Sequence, residues 1–508
     1  RAPDHQPLPA PGLMRRAGVL LHPTALPGPP GCGSFGVVAH RWVDLLGDHG
    51  ITAWQMLPLA PADGLGSPYS SPSGFALNPW FLDAELLQAD GLIQPADVEA
   101  LPQSGDPQRF DLALAERRAQ AQAQALLRHY PSWGAQQQRD FEAWRQQQRD
   151  WLQDHCRFVV LRHRHAAQPW WQWPAPLACR QASALRALDE QEHDALLQEA
   201  LVQWQLQVQW QRLLDHARER HVQVIGDLPF YVAHDSADVW SHRGLFSLRR
   251  DGSLLEQSGV PPDYFAATGQ LWGTPVYRWP LHRLTRCRWW LRRLARQLSL
   301  VDLLRLDHFR ALEAAWCVPG GDRTAEHGRW RPSPGRSLLD KLRRRCGAAG
   351  LPLIAEDLGV ITPAVEALRD RYRLPGMKIL QFAFDGDPKN AYLPANFHGS
   401  NWCVYTGTHD NATCIGWWQG LGEEQRRQVE ELLGPVHAPG WQLLELALAS
   451  SAAWAVVPLQ DLLHLGDEAR FNTPGTSEGN WSWRLRGDLD QLRGPFQGLR
   501  ELLQRHRR

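Results

Sequence analysis

The chain has 508 residues, and Lys plus Arg (54) balance Asp plus Glu (54), so its formal net charge is zero. This balance argues against nucleic acid or an anionic membrane surface as a partner. No apolar run is long enough to span a bilayer. The length fits a barrel enzyme that carries insertions.

The N-terminus and the cysteines bear on where the protein works. Residues 1–13 are rich in proline and lack the apolar core of a signal peptide, so we expect them to be a disordered extension. The 8 cysteines are scattered, and none forms a Cys-x-x-Cys pair or a zinc-ligand spacing. The pattern favours a reducing compartment, and we expect the cytoplasm.

The first segment of the chain contains a glycine-rich motif similar to those that bind dinucleotides. A strand near residue 20 leads through a glycine-rich loop to a predicted helix, Val38 to Asp48, and residues 31–36 of the loop fit the dinucleotide-binding fingerprint. The next strand, Thr52 to Pro58, lacks the terminal acid that would bind a ribose. A glycine-rich turn between strand and helix therefore explains the motif.

Short apolar segments recur along the chain with helical patterns between most of them. They lie near residues 20, 55, 225, 304, 354, 379, 405 and 456. Eight such repeats predict a closed (β/α)8 TIM barrel, although a doubly wound sheet remains open at this stage. We expect one catalytic domain over residues 14–508, with a helical insertion at about 79–200 and an irregular, aromatic one at about 230–285. Long helices are predicted for Leu201 to Arg220 and Leu284 to Leu298.

Four acids, Asp227, Asp307, Glu356 and Asp410, lie at the ends of predicted strands. In a barrel these ends converge on one mouth, where catalysis takes place. Helix capping is the simpler explanation for each acid, and magnesium binding is a second alternative. Arg305, two residues before Asp307 on the same strand face, disfavours a cation and would keep Asp307 ionised as a nucleophile.

Glycosyl transfer is the chemistry that such a pair of carboxylates supports best. Glu356 would be the general acid and base, with a pKa raised by apolar surroundings and neighbouring carboxylates. Carboxylates roughly 5–5.5 Å apart would imply a retaining mechanism through a covalent glycosyl-enzyme.

Several motifs together resemble one family. They are residues 226–232 with 235–240, 259–265 with 268–273, 305–310, 355–359, 408–411 and 470–476. On these motifs the chain resembles the amylomaltases, the 4-alpha-glucanotransferases or disproportionating enzymes of the alpha-amylase superfamily. The resemblance runs from about Arg16 to Arg484. It implies a TIM barrel with insertions and no C-terminal β-sandwich.

The resemblance also implies roles for individual residues. Asp307 matches the nucleophile, Glu356 the acid/base and Asp410 the third acid, which holds the distorted donor sugar. Arg305 and His409 match partners of the donor sugar. Positions that contact the glucan are matched by Ser67, Tyr69, Asp227, Gln270, Trp272, Phe382 and Asn472.

The expected substrates are alpha-1,4-glucans such as maltooligosaccharides, starch and glycogen, with glucose or a glucan as acceptor. We expect no metal and no organic cofactor, and the sequence does not indicate an oligomeric state. The stretch Gly259 to Trp272 is predicted to be an irregular loop over the pocket, because it is rich in glycine, proline and aromatics. A hydrolase of the same superfamily and an inactive glucan-binding protein remain as alternatives.

Overall fold

The structure, a computed structural model, describes residues 15–103, 106–263, 266–347 and 350–508. The predicted N-terminal extension, residues 1–13, lies outside the described residues. The strands of the described part are β1 Arg16–Leu20, β2 Ala53–Gln55, β3 Gln223–Leu228, β4 Glu256–Val260, β5 Gln270–Pro275, β6 Leu303–Leu306, β7 Ala314–Pro319, β8 Arg329–Pro332, β9 Leu353–Ala355, β10 Gly376–Ile379, β11 Trp402–Tyr405 and β12 Trp454–Pro458.

A closed parallel barrel forms the centre of the molecule. Its strands follow the order β1-β12-β11-β10-β9-β6-β3-β2, and β2 pairs with β1 to close it. Every residue of β2, β6 and β9 is buried, as expected for parallel strands covered on both faces. The eight predicted strand positions all fall in or next to these strands, so the predicted (β/α)8 TIM barrel is confirmed.

Helices lie between the strands and in the insertions. They are α1 Val37–Asp48, α2 Ala84–Ala89, α3 Pro95–Glu99, α4 Leu112–His129, α5 Ala135–Gln147, α6 Arg149–Arg164, α7 Ala175–Ala178, α8 Ala182–Gln191, α9 His193–Glu219, α10 Ala237–Ser241, α11 Trp279–Leu284, α12 Arg288–Leu298, α13 Gly335–Cys346, α14 Pro363–Arg371, α15 Cys414–Gly420, α16 Glu423–Leu433, α17 Pro439–Ala449, α18 Leu459–Leu462 and α19 Arg493–His506.

The long helix α9 fixes the loop that follows β2. Two of its glutamines are buried, and each pairs with both backbone groups of one loop residue. Gln203 accepts from the N–H of Leu77 at 2.9 Å and donates to its carbonyl at 2.8 Å. Gln209 does the same with Asp83, at 2.9 and 3.0 Å. These bonds satisfy the buried backbone of a loop that leads to the barrel mouth.

The prediction of an irregular loop from Gly259 to Trp272 is wrong at both of its ends. They lie in β4 and β5, which pair antiparallel in a separate sheet of order β5-β4-β7-β8. A Cβ on Gly259 would lie 2.2 Å from the carbonyl oxygen of Gln270, so glycine here permits close strand pairing. Tyr264 and Phe265, between the two strands, lie outside the described residues.

The helix predicted for Leu284 to Leu298 is also divided. Helix α11 ends at Leu284 and α12 begins at Arg288. Between them Arg286 and Cys287 have φ values of 54° and 59°, in the left-handed region that interrupts a right-handed helix.

Within residues 15–103, 106–263, 266–347 and 350–508, no helix has the length and apolar character needed to cross a bilayer. Over the same ranges, no group of three or more His, Cys, Asp or Glu side chains is arranged to hold a metal ion.

Candidate active site

Neighbouring barrel strands bring the predicted acids to one end of the barrel. Asp227 is the penultimate residue of β3, Asp307 directly follows β6, and Glu356 directly follows β9. These three strands are adjacent in the barrel. Asp410 lies in the loop after β11. The four residues therefore share the C-terminal face, where barrel enzymes place their catalytic groups.

Arg305 links two of these acids. Its Nη1 lies 2.8 and 2.7 Å from the two carboxylate oxygens of Asp227, and its Nη2 lies 3.0 Å from Oδ1 of Asp307. Burial alone would lower the pKa of Arg305, but the charges of Asp227 and Asp307 raise it well above its usual value. The arginine is therefore a fixed positive charge beside Asp307.

The side chain of Asp307 is 32% exposed and that of Asp227 only 1%. A ligand in the barrel mouth can reach the first carboxylate and not the second. Arg305 thus pairs with two acids of different exposure, the accessible Asp307 and the buried Asp227.

Glu356 is held by backbone groups of the two neighbouring loops. One oxygen accepts from the N–H of His308 at 2.7 Å and the other from the N–H of Leu358 at 3.2 Å. His308 has φ 51°, a left-handed conformation that is uncommon for a non-glycine residue and is typical of functional sites. The residue after Asp307 thus orients Glu356 directly.

The surroundings of Glu356 favour its neutral form. Burial, followed by the nearby charge of Asp307, raises the pKa of Glu356 to about 8. The adjacent Asp357 differs, because it is buried in an ion pair with Arg369 at 2.5 Å and accepts from the N–H of Met377. Of the two acids that follow β9, Glu356 is therefore part of the candidate site, whereas Asp357 stabilises the surrounding structure.

Asp410 is positioned by side chains from two loops. Its Oδ1 accepts from the amide of Asn472 at 2.6 Å and lies 3.2 Å from Nε2 of His409. Arg470 donates to the Asp410 carbonyl at 2.7 Å and to the Asn472 carbonyl at 2.9 Å. The Asp410 side chain is 42% exposed, so it is accessible from the mouth.

Tyr69 joins the Asp410 group to the Arg305 group. Its hydroxyl donates to Asp227 at 2.6 Å, and its ring stacks on His409 with centroids 5.1 Å apart. Ser67 is buried, and its Oγ accepts from the N–H of Tyr69 at 3.3 Å. A continuous series of contacts therefore runs from Asp410 through Tyr69 to Asp307.

The remaining predicted residues, Gln270, Trp272 and Phe382, come from β5 and from the segment after β10. Trp272, on β5, contacts the ring of His308 with centroids 4.8 Å apart, and its Nε1 lies 3.4 Å from Oε1 of Gln270. Phe382 follows β10 and packs edge-on against Tyr392 at 5.5 Å. Trp272 and Phe382 are exposed large hydrophobic side chains. Exposed aromatics at a functional face are suited to stacking against a ligand.

Sequence reasoning missed two residues of this site. Trp481 lies beside Tyr69 and His409, with ring centroids 5.7 and 6.1 Å away, and has φ 60°. The ring of His308 contacts Trp272, and its Nε2 is buried without a hydrogen-bond partner among the described residues. His308 lies within the motif of residues 305–310, so the sequence does indicate it. Trp481 had no signal in its local sequence.

Comparison with known proteins gives one consistent family. The sequence model of glycoside hydrolase family 77, described as 4-alpha-glucanotransferase, matches residues 21–490. The 4-alpha-glucanotransferase of Synechocystis sp. is 42% identical over 96% of this chain and 97% of its own length. The enzyme of that name from Thermus thermophilus is 41% identical over 95% and 97%. A solved amylomaltase from Streptococcus agalactiae in complex with acarbose is similar with a TM-score of 0.92 and 31% identity, covering 97% of this chain and 99% of that one.

Proposed function

Because this chain belongs to the 4-alpha-glucanotransferase family and has that family's activity, we propose that Asp307, Glu356 and Asp410 carry its glycosyl transfer by retaining double displacement. The observation that supports this assignment is the pairing of an accessible, arginine-bound Asp307 with a Glu356 whose pKa is raised. Glu356 then holds a proton at neutral pH that it can give to the leaving oxygen, while Asp307 lies open to the donor sugar.

Asp307 is the proposed nucleophile. Its Oδ1 lies 3.0 Å from Nη2 of Arg305, so the ion pair holds the carboxylate in one orientation. In the first step an oxygen of Asp307 bonds to the anomeric carbon of the donor sugar, and the bond from that carbon to the leaving oxygen breaks. The freed part of the glucan departs with a new hydroxyl group.

Glu356 supplies the proton for that hydroxyl. With a pKa of about 8 it is protonated at neutral pH and can act as the general acid. Forming the glycosyl ester neutralises the charge on Asp307, which is one of the causes of the raised pKa. The pKa of Glu356 then falls, and the same residue can accept the proton of the incoming acceptor hydroxyl.

Asp410 is proposed to bind hydroxyls of the donor sugar. His409 and Asn472 both contact its Oδ1, and the described residues place no hydrogen bond on Oδ2. That oxygen can accept from a sugar hydroxyl while the other keeps the carboxylate oriented. Tyr69, Trp272 and Phe382 provide aromatic surface for neighbouring sugars. The resemblance implies further glucan contacts through the polar side chains of Ser67, Gln270 and Asn472.

The proposed substrates are alpha-1,4-glucans, including maltooligosaccharides, starch and glycogen, with glucose or a glucan chain as acceptor. The proposed location is the cytoplasm, which is supported by cysteines that are all free. No step requires a metal or an organic cofactor.

Incubation with maltotriose tests the proposal. Transfer should yield glucose together with oligomers longer than maltotriose, and Glu356→Gln should yield neither. Glucose and maltose without longer products would indicate a hydrolase, and no change would indicate a glucan-binding protein. A control variant, Glu430→Gln on the exposed side of α16, should behave as the unmodified chain.

A further inference from the structure

A cleft away from the catalytic carboxylates is lined by arginines. It has a volume of about 670 Å³, and its walls come from α11, the residues before α13, α13 itself and the end of α14. Its lining contains one carboxylate. The lining residues are Arg283, Ser333, Pro334, Arg336, Ser337, Asp340, Arg343, Arg344 and Arg371.

The positive charge of this cleft is largely uncompensated. Asp340 pairs with Arg343 at 3.2 Å. Among the described residues, no ion pair joins any of the other four lining arginines to a carboxylate. Guanidinium groups brought together without carboxylates repel one another, and a bound anion would relieve that repulsion.

A buried tyrosine holds part of this arrangement in place. The Tyr372 hydroxyl oxygen lies 2.9 Å from Oδ1 of Asp340 and 2.9 Å from the Arg336 carbonyl oxygen, and it can donate its one proton to either. The guanidinium groups of Arg343 and Arg371 lie 5.3 and 6.0 Å from its ring centroid. Three of the lining arginines are therefore tied, by backbone or by side chain, to one rigid side chain.

Two further features of the cleft suit an anion. Helix α13 begins there with no capping side chain and no acid in its first turn, so its first N–H groups have no side-chain acceptor. The Oγ of Ser333, beside that helix start, is buried and has no hydrogen-bond partner among the described residues. A buried hydroxyl without a partner is costly, and a rotation of this side chain toward the cleft would let it donate to an anionic oxygen.

We propose that this cleft binds a small anion carrying two or more phosphate groups. Its volume falls within the range of roughly 300–1,000 Å³ that holds small ligands. A nucleic-acid backbone would instead need an extended basic stripe, and the chain as a whole has no net charge. Planar guanidinium groups match phosphate oxygens in pairs, which favours phosphate over a simple halide.

The test is isothermal titration of the full chain with inorganic pyrophosphate at low ionic strength. Saturable binding of one pyrophosphate per chain is expected, with inorganic phosphate binding more weakly. The double variant Arg336→Gln/Arg344→Gln should weaken pyrophosphate binding at least about tenfold, because two charged hydrogen-bond donors are lost. Ser333→Ala should weaken it about threefold or more.

A matched control removes the same charge elsewhere. Arg323 and Arg345 are exposed, and neither lines the cleft. Arg323→Gln with Arg345→Gln should leave pyrophosphate binding within about twofold of the unmodified chain. The proposal would be overturned if both double variants lost pyrophosphate binding equally, because the arginines would then act only as a basic surface. It would also be overturned if Ser333→Ala bound pyrophosphate as tightly as the unmodified chain. Tighter binding of an oligonucleotide through the same arginines would also overturn it.

Discussion

Arg305 donates from one nitrogen to both carboxylate oxygens of Asp227, at 2.8 and 2.7 Å, inside the barrel mouth. Asp227 is 1% exposed at its side chain, and the Tyr69 hydroxyl also binds it. We therefore propose that Asp227 serves the reaction mainly through Arg305 and Tyr69, by holding the arginine that faces Asp307. A direct contact with glucan, which the resemblance implies, would need this carboxylate to be reached by a sugar.

Replacing Asp227 by asparagine tests that role. Asp227→Asn keeps the shape but leaves a buried arginine without one of its two carboxylates, so we expect a loss of about 3–5 kcal/mol in the free energy of unfolding. We also expect kcat to fall more than KM rises, because the nucleophile is disturbed and the sugar contacts are not. The exposed pair of Asp215 and Arg218 provides the control, and Asp215→Asn should change neither quantity by much. A large rise in KM at unchanged kcat would instead favour direct glucan contact.

Glu356 makes both activity and stability depend on pH. Its pKa of about 8 predicts that kcat/KM falls as the pH rises through 8, because the general acid loses its proton. A carboxyl group whose pKa is raised by folding stabilises the fold below its unfolded pKa, and this contribution is lost as the pH rises toward 8.

Thermal unfolding of Glu356→Gln measures the second effect. The glutamine has no charge to bury, so the melting temperature of the variant should rise relative to that of the unmodified chain as the pH increases from about 4.5 to about 8. Glu430→Gln, at an exposed position, should show a constant difference over this range. A Glu356→Gln difference that does not change with pH would show that the pKa is not raised.

The barrel could be predicted because each of its strands is a short apolar segment that the local sequence indicates. The strands β6 and β9 are apolar throughout except for Arg305, and an acid follows each. The separate antiparallel sheet could not be predicted, because its glycines also mark turns. The role of Gly259, which lets the backbone of Gln270 approach closely because it has no Cβ, becomes clear only when the partner strand is known.

The candidate site also contains residues that the sequence predicts and one that it does not. Asp307 and Glu356 follow strands whose position the sequence defines, so their convergence follows from the barrel. Trp481 lies beside Tyr69 only because the segment after Phe471 folds back, with the N–H of Trp481 bonded to the Phe471 carbonyl at 2.6 Å. Such a contact depends on tertiary structure, and nothing in the local pattern of residues indicates it.

Trp481 gives a further prediction. Its left-handed backbone costs on the order of 1–3 kcal/mol, which the surrounding contacts must offset. Trp481→Ala should lower kcat/KM for maltotriose about tenfold, because loss of the ring frees Tyr69 and His409, which contact Asp227 and Asp410. Trp481→Phe should restore most of that loss. Unchanged kinetics in the alanine variant would show that the ring only packs.

Removal of metal ions should have no effect on transfer. The groups that carry the proposed reaction are carboxylates, and Arg305 places a positive charge where a cation would have to bind. Transfer from maltotriose, measured with and without a chelator, should proceed at the same rate. Loss of activity that a divalent ion restores would contradict the assignment of Asp307 as a nucleophile held by an arginine.

The nucleophile itself can be identified by trapping. In Glu356→Gln the general acid is absent, but a maltosyl fluoride carries a leaving group that departs without protonation. Asp307 should therefore still form the glycosyl ester. The ester should persist, because no base remains to deprotonate the acceptor. Mass spectrometry of the digested protein should place the added maltosyl mass on Asp307.

The double variant Asp307→Asn with Glu356→Gln is the control for this experiment and should carry no adduct. General acid–base groups are typically worth about two to four decades in rate, so Glu356→Gln should lose that much activity with maltotriose. Asp307→Ala alone should abolish turnover with every donor, since no other route to the covalent intermediate exists. An adduct on Asp410 or Asp227 would show that a different carboxylate attacks the anomeric carbon.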